Sequence, residues 1–372
     1  MTTIITAANA AHFLSLVPRL LGFRPRRSLV LVPFEAGRSL GTMRLDLPPD
    51  GAETERVASD LIGLVCRIAD ADGFALVAYA DGPLHPPGEE GLPHSGLAAA
   101  LSDRADACGL HVVHMLCVAE DAWGAYSEPH TTHDLDELDA MPAEGMPRPS
   151  RGDQTSGTRL PSVEAAERER VALALTGVRS ATRLLRAGAA EGGDPRRVDP
   201  LAIAALDVLD DLPAFFEASL GWDTGSLDAY AAATLSWCLS QPPARDVGLL
   251  EWVGGREIGD RAVDAQLRWE AGHTYPTELG MRVWGEGPRP DPERLLRALA
   301  LVRRIAAVTP RGSRAGALAV CGWLSWTLGR STHADVYARR ALKIDRWHGL
   351  ARIIVALTAA GHLPDWAFRP AA

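Results

Sequence analysis

The fifteen-residue run from Pro18 to Val32, PRLLGFRPRRSLVLV, constrains the fold more than any other stretch of the sequence. Its apolar start predicts the end of a helix, because Gly22 accepts the left-handed conformation of a helix C-cap. Pro25 prevents the chain from re-entering a helix, and the apolar run from Ser28 predicts a strand. The chain must therefore turn at a basic corner, which consists of Arg24, Arg26 and Arg27.

The composition is that of an ordinary globular protein. The 372 residues are 47% hydrophobic and 23% charged, which suits two or three folded domains. The formal net charge of -9 argues against a general binder of phosphate backbones, so we expect no nucleic-acid partner. Five cysteines without C-x-x-C spacing indicate reduced, buried thiols.

The sequence shows no signal for export or membrane insertion. The N-terminus lacks a basic region ahead of an apolar core, and no apolar run approaches the roughly 18 residues that a membrane span needs. We therefore expect a cytoplasmic protein with no membrane partner.

Residues 1–127 alternate between helical and strand patterns. Apolar spacing of three and four residues predicts helices, and apolar or alternating runs predict strands. The predicted helices are 7–21, 54–69 and 96–107, and the predicted strands are 28–34, 41–47, 74–79, 110–118 and a short edge at 123–126. Because such alternation favours parallel pairing, we expect an α/β domain with flanking helices and a mixed, mostly parallel sheet of about four or five strands.

The character of the sequence changes twice after residue 127. Residues 128–161 are acidic and rich in proline and glycine, which predicts a flexible linker. Residues 162–372 show no convincing strand and predict an all-helical domain, with helices over 200–220, 226–239 and 292–309. Residues 315–348 loosely resemble a tetratricopeptide unit, so we expect helical hairpins at this end.

Two motifs carry a resemblance to a known family. The pattern P-x-L-L-G-F-x-P-x-x-S-L-V at 18–30, followed by R-x-D-L-P at 44–48, resembles domain of unknown function family 4192 of high-GC bacteria. Weaker similarities at Trp123 and Tyr126, at Arg245-Asp246 and from Trp323 to Trp366 extend it over most of the chain. The chain has SEPHTTHD at 127–134 where the family has a cysteine- and proline-rich patch. Because of this departure the resemblance gives no basis for a thiol-based site in this chain, and the family has no established activity to transfer.

The basic corner and two nearby acidic positions are candidates for binding an anionic ligand. Guanidinium groups match the geometry of phosphate and carboxylate, and ligands of open α/β sheets gather beyond the carboxyl ends of strands. The candidates are Arg24, Arg26, Arg27, Arg44, Asp46 and Asp81. Three alternatives stay open: a solvated surface for the corner, a structural ion pair for Arg44 with Asp46, and turn capping for Asp81.

A histidine pair is the weakest candidate site. His130 and His133 are ligand types that zinc accepts, but no further ligand follows at a recognised spacing. The alternative is a pair of surface histidines, so we expect no bound metal. Because G-x-G-x-x-G, a Walker-type lysine and G-x-S-x-G are also missing from the sequence, we expect no cofactor.

These observations favour a non-catalytic interaction or regulatory module that binds a protein partner through its helical half. Trp347 and Trp366 are the interaction candidates, because each follows a late helix and few residues remain to cover it. The alternative for both is capping of the helical stack. A second function remains open, namely an enzyme or binder of a small anionic ligand at the carboxyl edge of the sheet. The sequence does not indicate an oligomeric state.

Overall fold

The computed structural model describes residues 7–49, 51–88, 90–140, 146–187 and 199–368. The chain divides into two compact units. The N-terminal unit is Met1–Ser156 together with Phe368–Ala372, and the C-terminal unit is Gly157–Ala367.

The N-terminal unit consists of a sheet and four helices within the described residues. Its elements are α1 (Ala10–Leu21), β1 (Ser28–Glu35), β2 (Arg38–Ser39), β3 (Met43–Asp46), α2 (Thr54–Cys66), β4 (Gly73–Tyr79), α3 (Ser95–Cys108), β5 (His111–Val118), β6 (Ala122–Ala125), β7 (His133–Asp134) and α4 (Asp136–Ala140). Gly22 ends α1 with φ 80°, and its N–H donates to the Pro18 carbonyl. The predicted helix stop at Gly22 is therefore confirmed.

The seven strands form one mixed sheet in the order β2-β1-β4-β5-β6-β7, with β3 also paired to β1. Only the β4–β5 pair is parallel among the described strands. The expectation of a mostly parallel sheet with four or five strands is therefore wrong. The physical reason is the early hairpin, in which β3 reverses on β1 before α2 connects it to β4. As a result β4 lies antiparallel to β1.

Helices cover the sheet on both faces. Leu29 and Leu31 of β1 pack with α2 and α3, whereas Val30 and Val32 pack with α1. Alternate side chains of a strand point to opposite faces, so β1 is buried on both sides at the centre of the unit. This position explains its continuous apolar sequence.

The range 128–161, which composition predicts as a linker, crosses the division between the units. Its described residues include β7 and α4, and Leu135 and Leu138 pack partly buried against the α1 face of the sheet. Residues 146–156 belong to the N-terminal unit. The flexibility of this range in solution stays a prediction.

The C-terminal unit is all-helical in its described part, as the sequence predicts. Its α-helices are α5 (Ala165–Ala187), α6 (Pro200–Ala204), α7 (Leu212–Ser219), α8 (Ala229–Ser240), α9 (Pro242–Gly254), α10 (Arg256–Glu270), α11 (Thr277–Val283), α12 (Pro292–Val308), α13 (Ala315–Thr327), α14 (Ser331–Leu342) and α15 (Gly349–Ala359). The single helix expected over 200–220 is divided, because Asp211 accepts from the Ala214 N–H and so caps a new helix, α7.

The core of this unit is built around α13, which is buried from Gly316 to Thr327. Its sequence, AGALAVCGWLSWT, has no charged residue, and an all-round apolar helix of this length is typical of a buried position. Side chains of α7, α8, α9, α12, α14 and α15 contribute to the same core. No helix within the described ranges is long and apolar enough to cross a membrane.

The five cysteines are free. Cys117, Cys238 and Cys321 are buried, as expected. The same expectation is wrong for Cys66 and Cys108, the last residues of α2 and α3, which are exposed.

Candidate functional site

The backbone of the basic corner is already paired within the N-terminal unit. The Arg24 N–H donates to the Gly152 carbonyl at 3.1 Å. Arg26 exchanges two hydrogen bonds with the side-chain amide of Gln154, at 3.1 and 3.0 Å. The segment 150–154 therefore occupies the backbone groups that an anion would otherwise use.

The side chains of the corner also face carboxylates. Arg24 lies 3.5 Å from Asp139 of α4, and Arg27 lies 3.5 Å from Asp81, which follows β4. Both pairs are largely exposed, so each contributes little to stability. They nevertheless reduce the net positive charge that the corner offers to a ligand.

Arg44 is the most buried of the six candidates, with 7% of its side chain exposed. Its Nε donates to Ser28 Oγ at 2.7 Å, and its Nη2 lies 2.5 Å from Asp46 Oδ1. Ser28 in turn donates to the Arg26 carbonyl at 2.7 Å. Arg44 therefore joins β3, β1 and the corner into one polar network.

Asp153 completes this network. The Thr155 side chain and backbone donate to it and hold its pKa below the usual range, and the charges of Arg26 and Arg44 lower the pKa further. Each of the six predicted residues thus takes part in an ion pair or a hydrogen bond within the N-terminal unit, with Arg27 paired to Asp81 and Arg44 to Asp46. Two arginine-lined cavities, both in the C-terminal unit, include none of them.

The two loop histidines lie in different surroundings. His130 is exposed in a turn, whereas His133 is in β7 and stacks on Trp123 with ring centroids 4.2 Å apart. The Nδ1 atom of His133 lies 3.7 Å from a carboxylate oxygen of Glu137. In the part of the chain that the structure describes, no three His, Cys, Asp or Glu residues are grouped to hold a metal.

Trp366 lies buried in the C-terminal unit, with 3% of its surface exposed. Its indole N–H donates to the Thr327 carbonyl at 3.1 Å, at the last residue of α13. A second bond joins the same two segments, because the indole N–H of Trp326 in α13 donates to the His362 carbonyl at 2.8 Å. This placement favours the capping alternative for Trp366.

Trp347 is 66% exposed, in the connection between α14 and α15. Two guanidinium groups lie over its ring, those of Arg346 at 4.6 Å and of Arg352 at 5.6 Å from the centroid. Asp345 accepts from the Trp347 N–H at 3.0 Å, and His348 caps α15 by accepting from the Ala351 N–H. These hydrogen bonds hold the backbone of the connection, which presents the indole at the surface.

Sequence reasoning misses an arginine cluster in the C-terminal unit. Arg159, Arg168 and Arg314 line one cavity there. They come from a connecting segment, from α5 and from the turn before α13, so no spacing in the sequence could have grouped them. The only sequence signal is the high arginine content of this half, which does not select among its members.

Comparison with known proteins supports the resemblance seen in the two motifs. No curated protein and no solved structure matches the chain significantly. One family model does match, described as Domain of unknown function (DUF4192), and it covers residues 11–365. Because the match extends over both structural units, the chain belongs to the DUF4192 family.

Proposed function

We propose that this protein is a non-catalytic interaction or regulatory module of the cytoplasm that binds a protein partner through its helical half. The observation that carries the proposal is Trp347, an indole that is 66% exposed and lies beside the guanidinium groups of Arg346 and Arg352. Tryptophan and arginine are the residues most enriched at energetic hot spots of interfaces. An indole has only two rotatable side-chain bonds, so it loses little conformational freedom when a partner covers it.

The charges around Trp347 define the partner's chemistry. Arg346 and Arg352 lie over the ring, and the Trp347 N–H donates to the Asp345 carboxylate. A complementary surface presents carboxylates beside an apolar side chain. We therefore assign an acidic protein segment with an apolar anchor as the occupant.

The packing of the last helices suits such a role. Helices α13, α14 and α15 share one core, which includes Tyr337 and Ile354, and they form hairpins that loosely resemble a tetratricopeptide unit. Stacked helical hairpins commonly present side chains to extended or helical partner segments. Trp347 lies at the turn of the second hairpin, where a partner reaches it without disturbing the core.

The experiment compares two exposed tryptophans of the same unit. A partner is captured from the native cell, purified, and titrated calorimetrically against the wild type, Trp347→Ala and Trp269→Ala. Trp269 is the matched control, because it is 56% exposed and lies on α10. We expect Trp347→Ala to weaken binding about tenfold or more, and Trp269→Ala to leave it unchanged.

Two further measurements make the test specific. The affinity should fall as salt is raised, because the proposed interface pairs exposed charges. The melting temperature of Trp347→Ala should match the wild type, because an exposed side chain contributes little to folding. Equal affinity of the wild type and Trp347→Ala for every purified partner would overturn the proposal.

Binding of an anionic ligand at the carboxyl edge of the sheet is the second candidate, and it has less support. Each of Arg24, Arg27 and Arg44 already faces a carboxylate of the same unit. A ligand there would have to compete with Asp139, Asp81 and Asp46.

A further inference from the structure

A cavity of about 470 Å³ opens in the C-terminal unit at the first turns of α5. Its polar lining comes mainly from Arg159, Arg168 and Arg314, together with Ser162. None of its described lining residues is acidic. The volume is within the range of small-molecule sites, roughly 300–1,000 Å³.

The arginines of this cavity differ from those of the basic corner in their ion pairing. In the described residues, neither Arg159 nor Arg168 forms an ion pair with a carboxylate, unlike the arginines of the basic corner. Arg314 donates once, to the Thr309 carbonyl at 2.7 Å, and its buried Nε has no partner among the described residues. Burial lowers the pKa of the Arg314 guanidinium, and the charges of Arg168 and Arg311 lower it further.

The cavity wall is held in place by other arginines. From α12, Arg303 donates to the Arg159 carbonyl at 2.7 Å and Arg304 donates to the Ser162 carbonyl at 3.2 Å. Arg304 also pairs with both oxygens of Glu167, at 2.7 and 2.8 Å, so this nearby acid is already neutralised. The backbone of the lining is therefore held in place, and no carboxylate of the described residues pairs with Arg159, Arg168 or Arg314.

We propose that this cavity is a binding site for a small phosphate-bearing organic molecule. Guanidinium groups donate in the fork geometry that phosphate oxygens accept, and the positive end of the α5 dipole adds to the attraction. The apolar part of the lining would contact the organic portion, and it consists of Leu160, Pro161, Val163 and Ala307. The chain as a whole carries a charge of -9, so the attraction is a local property of this cavity.

Inorganic pyrophosphate is the probe, because it presents phosphate oxygens without an organic portion. We expect it to raise the melting temperature of the full-length protein above that in sodium chloride of equal ionic strength. Arg168→Ala should raise the dissociation constant for pyrophosphate about tenfold or more, since one charge-assisted contact is lost. Arg168 is exposed, so this variant should fold normally.

Two matched control variants test whether pyrophosphate binds in this cavity or is attracted by positive charge elsewhere on the protein. Arg170→Ala removes an equal charge from an exposed α5 position that does not line the cavity. Arg183→Ala removes a charge from the second cavity, of about 280 Å³, which Arg179, Arg183 and Arg186 line beside Trp237. Both should bind pyrophosphate like the wild type. The proposal is overturned if pyrophosphate has no effect, or if either control weakens binding as much as Arg168→Ala.

Discussion

Glu251 is a carboxyl group with no exposed surface, next to a second acid that shares the same arginine. Arg294 binds Glu217 through both of its Nη atoms, and its Nη2 also lies 3.1 Å from Glu251. Burial raises the pKa of Glu251 to about 8, and the neighbouring Glu217 adds to the effect. The hydrogen bonds from Arg294 hold the pKa of Glu217 well below its usual range. One guanidinium thus balances one carboxylate, and Glu251 keeps its proton.

The raised pKa of Glu251 beside Glu217 predicts that the stability of the protein depends on pH. Glu251→Gln should remove this dependence. The unfolded chain releases the Glu251 proton near its ordinary pKa, whereas the folded chain retains it up to about pH 8. The stabilisation from Glu251 is therefore fully present below the unfolded pKa and is lost as the pH rises through about 8. Glu217 has a lowered pKa, so its contribution stays constant between about pH 5 and 8.

Urea unfolding of the wild type and Glu251→Gln at several pH values tests this. As the pH rises from about 5 to 8, the free energy of unfolding of the wild type should fall relative to that of Glu251→Gln. The expected fall is up to about 1.4 kcal/mol per pH unit. Taking the difference removes the contribution of His114 and His348, whose pKa values burial lowers in both proteins. A constant difference over this range would show that Glu251 is ionised in the folded state.

The basic corner shows which features of single residues can be predicted from the sequence. Gly22 and Pro25 restrict the backbone conformation locally, so the turn at the basic corner can be predicted from the residues around it alone. The partners of the corner cannot be predicted in this way, because Asp139 and Gln154 lie more than a hundred residues further along the chain. The arginines were therefore identifiable as a group, whereas their partners depend on the tertiary fold.

At the level of elements, the sheet shows how a correct local prediction leads to a wrong topology. The strands that α2 and α3 connect do run in the same direction, as helical crossovers require. However, β1 lies between β3 and β4, so the first crossover does not produce a parallel pair. Periodicity identifies the strands and their faces, but the order of strands depends on contacts between residues distant in the sequence.

Close packing of α13 against α8 predicts that Gly316 tolerates no side chain. A Cβ at Gly316 would lie 2.4 Å from the Leu239 carbonyl oxygen, and this backbone atom cannot move away without shifting α8. We expect Gly316→Ala to destabilise the protein by about 1–3 kcal/mol or more, measured by urea unfolding.

Gly280 in α11 is the control, because a Cβ there meets nothing within 4 Å. Gly280→Ala should stabilise the protein by roughly 0.5–1 kcal/mol, the difference in helix propensity. A Gly316→Ala variant as stable as the wild type would contradict the close approach of the two helices.

At the scale of the whole molecule, two compact units meet in sequence at Ser156 and Gly157. The composition places a linker at 128–161, which contains this division, because few large apolar residues occur there. The described hydrogen bonds of residues 150–154 attach part of this range to the basic corner. The attachment is polar and near the surface, and such segments open at a small fraction of the global free energy of unfolding.

Limited trypsin digestion should therefore cut first within 128–161. Arg151 and Arg159 are exposed there, whereas the bond after Arg148 precedes Pro149 and resists trypsin. We expect the earliest fragments, identified by mass spectrometry, to end at Arg151, because Arg303 of α12 holds the Arg159 carbonyl. Arg151→Gln should survive longer at the same trypsin concentration, because it removes this exposed cleavage site. First cleavage after Arg297 or Arg303 would show that α12 opens before this range does, and the proposed division into units would then be wrong.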